Sequence, residues 1–538
     1  MPETTRAERS PSLPWALLAV FAAIVFVGFV RLRFAGVPLE RDEGEYAYAG
    51  RLILEGIPPY QLAYNMKFPG TYYAYAAIMA VFGRTTWGIH AGLLLVNAAT
   101  ILLVFAVGRR LLGELPAAAA AVVFALLTVD RWVYGMFAHA THFVVLAAMA
   151  GLLLLLRASE RGRAAAYAGS GALFGIALLM KQHAVAFLPF CAALVYWVEN
   201  RREGRPAGVP LKRVAAFALG SAAPLVVIVA ALAAQGVAGR FWFWTFRYAR
   251  EYVSEVSLSE AIPALSLGFG TVTTASLVFW VLAAAGLVAL WVARWELPTR
   301  VIVTGLFAAS FFAICPGFYF REHYFVLMLP AVALLVGAAV GSTPHRSLAL
   351  AVLVAAIGLY AVRERHYLFS MSPRELSRAM YGTNPFVEAE EIGKYIKDRT
   401  GPEDRIAVVG SEPEIYFYAD RKAATGYIYT YALMEPQPFA GTMQAEMIRE
   451  IEASHPRYLV FVNIDHSWLM RPLSDQRIVV WTPDYVGHCY DLVGVADIFS
   501  EEKSNVLWDD ASSAYAAQSQ NLVYTFRRKS DDPCPVSR

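Results

Sequence analysis

The sequence predicts a multi-spanning α-helical membrane protein, with about eleven transmembrane helices and a C-terminal extracytoplasmic α/β domain. Three observations carry this reading. Of 538 residues, 57% are hydrophobic and only 17% are charged, far too oily for a soluble domain or a disordered chain. Apolar windows near the length of a bilayer crossing recur through the first two thirds of the chain. Beyond about Glu364 the composition changes, and helix-like and strand-like runs alternate.

The first window, 13–30, follows Arg6 and Arg9 and precedes no clear small-residue cleavage site, so it reads as an uncleaved signal anchor with a cytoplasmic N-terminus. After a polar interval come 87–107, 115–134, 137–156, 164–180, 183–198, 214–234, 271–292, 301–314, 324–340 and 348–362. Basic residues crowd alternate connections, as the positive-inside rule requires. They are Arg109 and Arg110; Arg157, Arg161 and Arg163; Arg201, Arg202, Arg205, Lys212 and Arg213; Arg294 and Arg300; and Arg346. An odd number of crossings then leaves 31–86, 235–270 and the tail outside. Residues 1–366 are thus a transmembrane domain with outer loop 31–86, and 367–538 an extracytoplasmic domain. In that tail a helix at 385–399 precedes a strand at 405–409, ended by Gly410. A second helix at 443–453 leads into a second strand at 458–462, as in a small sheet with covering helices.

Charge and cysteine content exclude other classes. Lys plus Arg number 46 against 43 Asp plus Glu, a net +3 that offers no basic face to a nucleic acid. The four cysteines show no CxxC spacing, which argues against a thiolate zinc site and a disulfide scaffold. At most Cys489 and Cys534 pair, outside the cytosol.

Chemistry concentrates in the first outer loop. Carboxylates emerging beside a span sit where charge is costly unless paired or useful, which makes Asp42 and Glu43 candidates for acid–base work. Neighbours on a helix point apart, so one would face a reaction centre while the other fixes the loop; helix-start acids favoured by the dipole explain the pair equally well. Lys67, just before Phe68-Pro69-Gly70, could offer its ammonium to an anion or snorkel to headgroups. Five histidines, His90, His139, His142, His183 and His323, fall at predicted outer ends of spans. His139 and His142 would share a helical face and, with Asp42 or Glu43, could hold a divalent metal ion; interfacial polar caps are the other reading. Lys181-Gln182-His183 forms an outer turn within reach of a phosphate or sugar, or an ordinary polar turn. The aromatic and arginine run 240–250 suits an interfacial helix or a groove for a lipid chain and its phosphate.

The order of a first span, the Asp42-Glu43 pair, Gly56-Ile57-Pro58-Pro59-Tyr60, Lys67-Phe68-Pro69-Gly70 and a Tyr-rich stretch ending at Phe82-Gly83 resembles the multi-spanning C-fold glycosyltransferases. It is similar to bacterial aminoarabinose transferases, lipopolysaccharide-core sugar transferases and, more remotely, protein O-mannosyltransferases. Residues 175–189, Arg321-Glu322-His323-Tyr324 leading to Pro330, and 404–421 add to the likeness. The resemblance implies inverting transfer of a sugar from a polyprenyl-phosphate-linked donor to a lipid, glycan or protein acceptor, at the outer face of a bacterial cytoplasmic membrane. It makes Asp42 the general base and Lys67 the donor-phosphate partner, with Arg321 second. Glu43, Tyr46, Tyr72, Lys181, His183, His323 and Tyr324 are the further substrate-binding candidates it implies.

Two departures stand out. Glu45 replaces an arginine of the aminoarabinose transferases, and 137–143 lacks a second acidic residue that many relatives carry. A flippase or transporter of lipid-linked sugars would instead show repeat halves and mid-membrane polar residues.

Overall fold

The computed structural model describes residues 13–202, 208–530 and 534, so Arg6, Arg9 and Arg205 of the charge pattern lie outside the described residues. Contacts divide the chain into two compact units. One comprises residues up to 34, 91–228 and 253–370; the other comprises 35–90, 229–252 and 371 onward.

The first unit is helical and apolar. Its opening helix α1 (Leu13–Arg33) leaves Trp15, Leu18 and Phe21 exposed, the pattern of a helix solvated by lipid rather than water. Among the described residues of the whole chain, seven helices are long and apolar enough to cross a membrane, or eight when one bent pair counts as a single span. Eleven were expected, and the differences have local causes. The run at 115–134 ends its helix at Leu127, because Asp130 caps a short 3-10 turn, Arg131–Val133, by accepting from the Trp132 N–H. The run at 183–198 becomes a 3-10 turn, Gln182–Ala186, followed by a 14-residue helix, Phe187–Asn200. The run at 271–292 holds the last residues of helix Leu258–Thr273 and then helix Leu277–Val292, the two meeting at 110°. At that break Thr273 and Thr274 return their hydroxyls to carbonyls one turn back, which competes with regular helix continuation. Close helix packing relies on missing side chains: a Cβ on Gly286 would lie 1.9 Å from the Leu335 carbonyl oxygen.

The second unit joins residues 35–90 to the tail. The former supply α2 (Arg41–Leu54) and α3 (Gly70–Phe82). The tail supplies a six-stranded sheet of β1 (Arg405–Val409), β2 (Lys422–Ala423), β3 (Tyr458–Asn463), β4 (Tyr490–Ile498), β5 (Ser504–Trp508) and β6 (Leu522–Arg528). Their order is β2-β1-β3-β6-β4-β5, parallel across the first three strands and antiparallel across the rest. Val408 faces Val460, which faces Thr525, so the last strand in sequence lies in the middle. Ile406 to Val409 and Leu459, Val460 and Val462 are fully buried, as expected of strands covered on both faces. Helices Phe386–Lys397 and Ala440–Ser454 stand where the tail's periodicity predicted them. A disulfide joins Cys489 to Cys534.

Candidate active site

The carboxyl ends of β1 and β3 receive the first turn of α2, the position where open α/β sheets present ligand-binding loops. Arg41 makes the connection. Its Nε donates to the Ser411 carbonyl and its Nη2 to Asn384 Oδ1 (3.0 Å) and Glu412 Oε1 (2.9 Å). The Phe386 and Tyr431 rings each lie 5.3 Å from its guanidinium. The Glu412 and tyrosine neighbours outweigh the cost of burying this cation and raise its pKa.

The helix start then sorts the acids. Glu40 caps α2, accepting from the Asp42 N–H (3.0 Å) and the Glu43 N–H (2.8 Å), while Glu43 reaches back to the Glu40 N–H. Burial, with Asp42 and Glu43 close by, holds the Glu40 pKa well above the usual carboxylate range. Glu43 is wholly buried and pairs with His90 Nε2 at 3.0 Å, while His90 Nδ1 faces the Ala35 carbonyl at 2.8 Å. Both ring nitrogens therefore face acceptor oxygens. Glu43 thus fixes the loop.

Asp42 turns the other way. Its Oδ1 accepts from Lys67 Nζ at 2.7 Å and from the Tyr429 hydroxyl at 3.2 Å. Lys67 Nζ also donates to Glu45 Oε2 at 2.6 Å and lies 4.6 Å from the centre of the Tyr46 ring. Tyr72 donates its hydroxyl to the other Glu45 oxygen, and Tyr60 anchors the loop by donating to the Lys67 carbonyl at 2.7 Å. Burial opposes the Lys67 charge, but Asp42 and Glu45 outweigh it and push the pKa well up. Burial raises that of Glu45, with Lys67 pulling the other way. The side chains of Asp42 and Lys67 remain 24% and 22% exposed while that of Glu45 is at 0%, so the first two are reachable and the third is a sealed counter-charge.

Of the residues the sequence singled out, Asp42, Glu43, Tyr46, Lys67 and Tyr72 therefore meet in the second unit. Sequence reading missed Arg41, Tyr429, Glu412 and the structural use of Glu45. Only Glu45 carried a signal, as a departure from the pattern.

The remaining candidates fall in the first unit and are described there alone. Tyr324 is the hub: Lys181 Nζ lies 4.2 Å from its ring centre, the His183 ring 4.6 Å and the His323 ring 4.7 Å. His139 stacks on His323 at 4.2 Å, so these two imidazoles are the nearest nitrogen ligands a divalent ion would find there; His142 is buried in the helix that His139 caps. Arg321 is exposed and sits over Tyr319 at 5.5 Å.

Comparison with known proteins places this architecture. No curated protein matches the sequence. Residues 67–230 match the family described as dolichyl-phosphate-mannose-protein mannosyltransferase. ArnT from Cupriavidus metallidurans, crystallised bound to undecaprenyl phosphate, is similar with a TM-score of 0.60 at 18% identity, covering 94% of this chain and 100% of its own. The oligosaccharyltransferase AglB of Archaeoglobus fulgidus, in complex with an inhibitory peptide and a dolichol-phosphate, follows at 0.52 and 13%, covering 95% and 76%. The Archaeoglobus fulgidus oligosaccharyltransferase tethered to an acceptor peptide gives 0.51 and 12%, covering 94% and 75%. The chain has the C-fold of the multi-spanning membrane glycosyltransferases.

Proposed function

We propose that the protein is an inverting glycosyltransferase that moves a sugar from a polyprenyl-phosphate-linked donor to an acceptor hydroxyl at the outer face of a bacterial cytoplasmic membrane. The observation carrying this reading is the 2.7 Å contact between Lys67 Nζ and a partly exposed Asp42. An ammonium has three donors, and two are occupied by Asp42 and Glu45. The third would serve a phosphate oxygen.

In this reaction the acceptor oxygen attacks the anomeric carbon as Asp42 takes its proton, and the bond from that carbon to the phosphate oxygen breaks. The electron pair leaves on the lipid phosphate, where Lys67 stabilises the growing charge. Phosphate drawing Lys67 toward itself would loosen its hold on Asp42, so donor binding would free the base. Glu45 keeps the lysine charged throughout. Tyr46 and Tyr72 shape the Lys67 side of the site. Lys181, His183, His323, Tyr324 and Arg321 are proposed to contact donor or acceptor, and a divalent ion would draw on His139 and His323, the stacked pair, rather than on the expected His139 and His142. Support comes from the shared fold and from the undecaprenyl phosphate bound by the similar ArnT.

The test is mass spectrometry of envelope lipids and glycans with and without the protein, followed by assay of the purified protein on the altered species. If Asp42→Asn transferred sugar at the unmodified rate, the assignment would be wrong.

A further inference from the structure

The run 238–253 has two faces. Inward, Phe241 meets Tyr60 and Phe68, Trp244 meets Tyr64 and Tyr427, and Tyr248 donates to Glu435. Outward, Trp242 is 57% exposed and stacks on the exposed Phe246 at 4.5 Å, flanked by exposed Arg240, Arg247 and Arg250. Its middle, Phe243–Tyr248, is a π-helix.

A second exposed apolar element adjoins this face. The turn after Trp468, Leu469-Met470-Arg471-Pro472-Leu473, is exposed throughout, and Leu473 reaches 82%. Contacts make the two continuous. Phe439 packs on Phe243 at 5.1 Å, Ser474 donates its hydroxyl to the Met434 carbonyl beside Glu435, and the Arg471 N–H donates to Ser474 Oγ at 2.8 Å. Together they present Trp242, Phe246, Leu469, Met470 and Leu473 among exposed arginines, with Glu251 as the acid beside Arg250.

We propose that this surface rests on the outer leaflet of the bilayer, with its apolar side chains at the headgroup–acyl boundary and its arginines on anionic phosphates. Chain length favours the bilayer over a protein partner. The membrane-length helix Val209–Ala234 ends four residues before Ala238, a reach of at most about 14 Å. Charge agrees, since arginines are drawn to anionic headgroups. Because Phe241 and Phe246 both touch Phe68, next to Lys67, the contact would also set the height of the Lys67 ammonium relative to lipid phosphates. The inference does not depend on the proposed sugar transfer.

The test uses full-length protein in lipid nanodiscs, in a Cys315→Ser background because Cys315 is the half-buried free thiol. An environment-sensitive fluorophore is placed at Leu473→Cys, at Trp242→Cys and at the exposed control Ser500→Cys. A segment lying about 5–10 Å into the boundary should be quenched by shallow-chain doxyl lipid more than by deep-chain doxyl lipid, at both test positions and not at Ser500. The shift to shorter wavelength should be larger in phosphatidylglycerol than in phosphatidylcholine. Quenching at the control level would overturn the proposal. So would a shielded label that doxyl lipids fail to quench, which would point to a protein covering the surface. Equal behaviour in the two lipids would overturn the role given to the arginines.

Discussion

Gly44 and Glu414 approach so closely that no side chain fits between them: a Cβ on Gly44 would lie 2.5 Å from the Glu414 backbone nitrogen and 2.6 Å from its Cβ. The glycine lets the first turn of α2 lie directly on the helix Glu414–Ala419. That contact, with Arg41, sets where Asp42 points. Gly44→Ala should cost about 2 kcal/mol or more and reduce activity with it, measured as a fall in the melting midpoint of detergent-solubilised protein. An unchanged midpoint would mean that the helices separate at little cost.

Asp42 and Lys67 should separate in their effects on undecaprenyl phosphate binding. Asp42→Asn removes a proton acceptor and leaves the ammonium, so binding should persist while turnover disappears. Lys67→Gln removes a charge-assisted contact and leaves Glu45 buried without its cation. Binding should weaken by about 2 kcal/mol, roughly thirtyfold, and stability should fall as well. Native mass spectrometry with the lipid phosphate distinguishes the two variants.

The hydroxyl of Tyr429 reaches Asp42 at 3.2 Å from a loop of the tail. Tyr429→Phe should retain the fold and lose about 1 kcal/mol of ground-state ordering at Asp42, appearing as a modest fall in turnover with little change in lipid-phosphate binding. Loss of lipid-phosphate binding would instead mean that Tyr429 touches the donor.

Glu45 gives a pH signature. Burial raises its pKa in the folded chain, so the folded state holds this proton more tightly than the unfolded one. Its contribution to stability is therefore greatest in acid and declines as pH rises past the unfolded value of about 4.3. Glu45→Gln removes that dependence. The melting midpoint of the parent minus that of the variant should shrink steadily from about pH 4 toward 7; a difference growing with pH would contradict the raised value.

Breaking the His90–Glu43 pair should be costly. His90→Phe takes from the fully buried Glu43 carboxylate its partner at 3.0 Å, a loss of about 3 kcal/mol. His90→Phe with Glu43→Leu should recover most of it, a comparison read directly in paired melting curves.

What was legible in the chain was what its local pattern encodes. β1 announced itself as Arg-Ile-Ala-Val-Val ended by Gly410, and the helix Ala440–Ser454 by its period, because each buries one continuous stretch. Asp42 and Lys67 were found because they lie 25 residues apart in one loop. Tyr429 stands 387 residues from Asp42, with nothing in its neighbours to mark it. Arg41 carries no local mark either, since its partners Ser411 and Glu412 come from the far end of the chain. Hydropathy averages also hid the bend between Thr273 and Leu277, which depends on hydroxyl bonding rather than on apolar content.

The placement of β6 between β3 and β4 bears on biosynthesis. The ribosome delivers the middle of the sheet after both of its flanks, so the tail's sheet can close only once β6 has emerged. A truncation between Trp508 and Leu522 would leave two part-sheets, β2-β1-β3 and β4-β5, with bare edges open to misassociation and degradation. Nonsense variants late in the reading frame should thus behave as complete losses of protein.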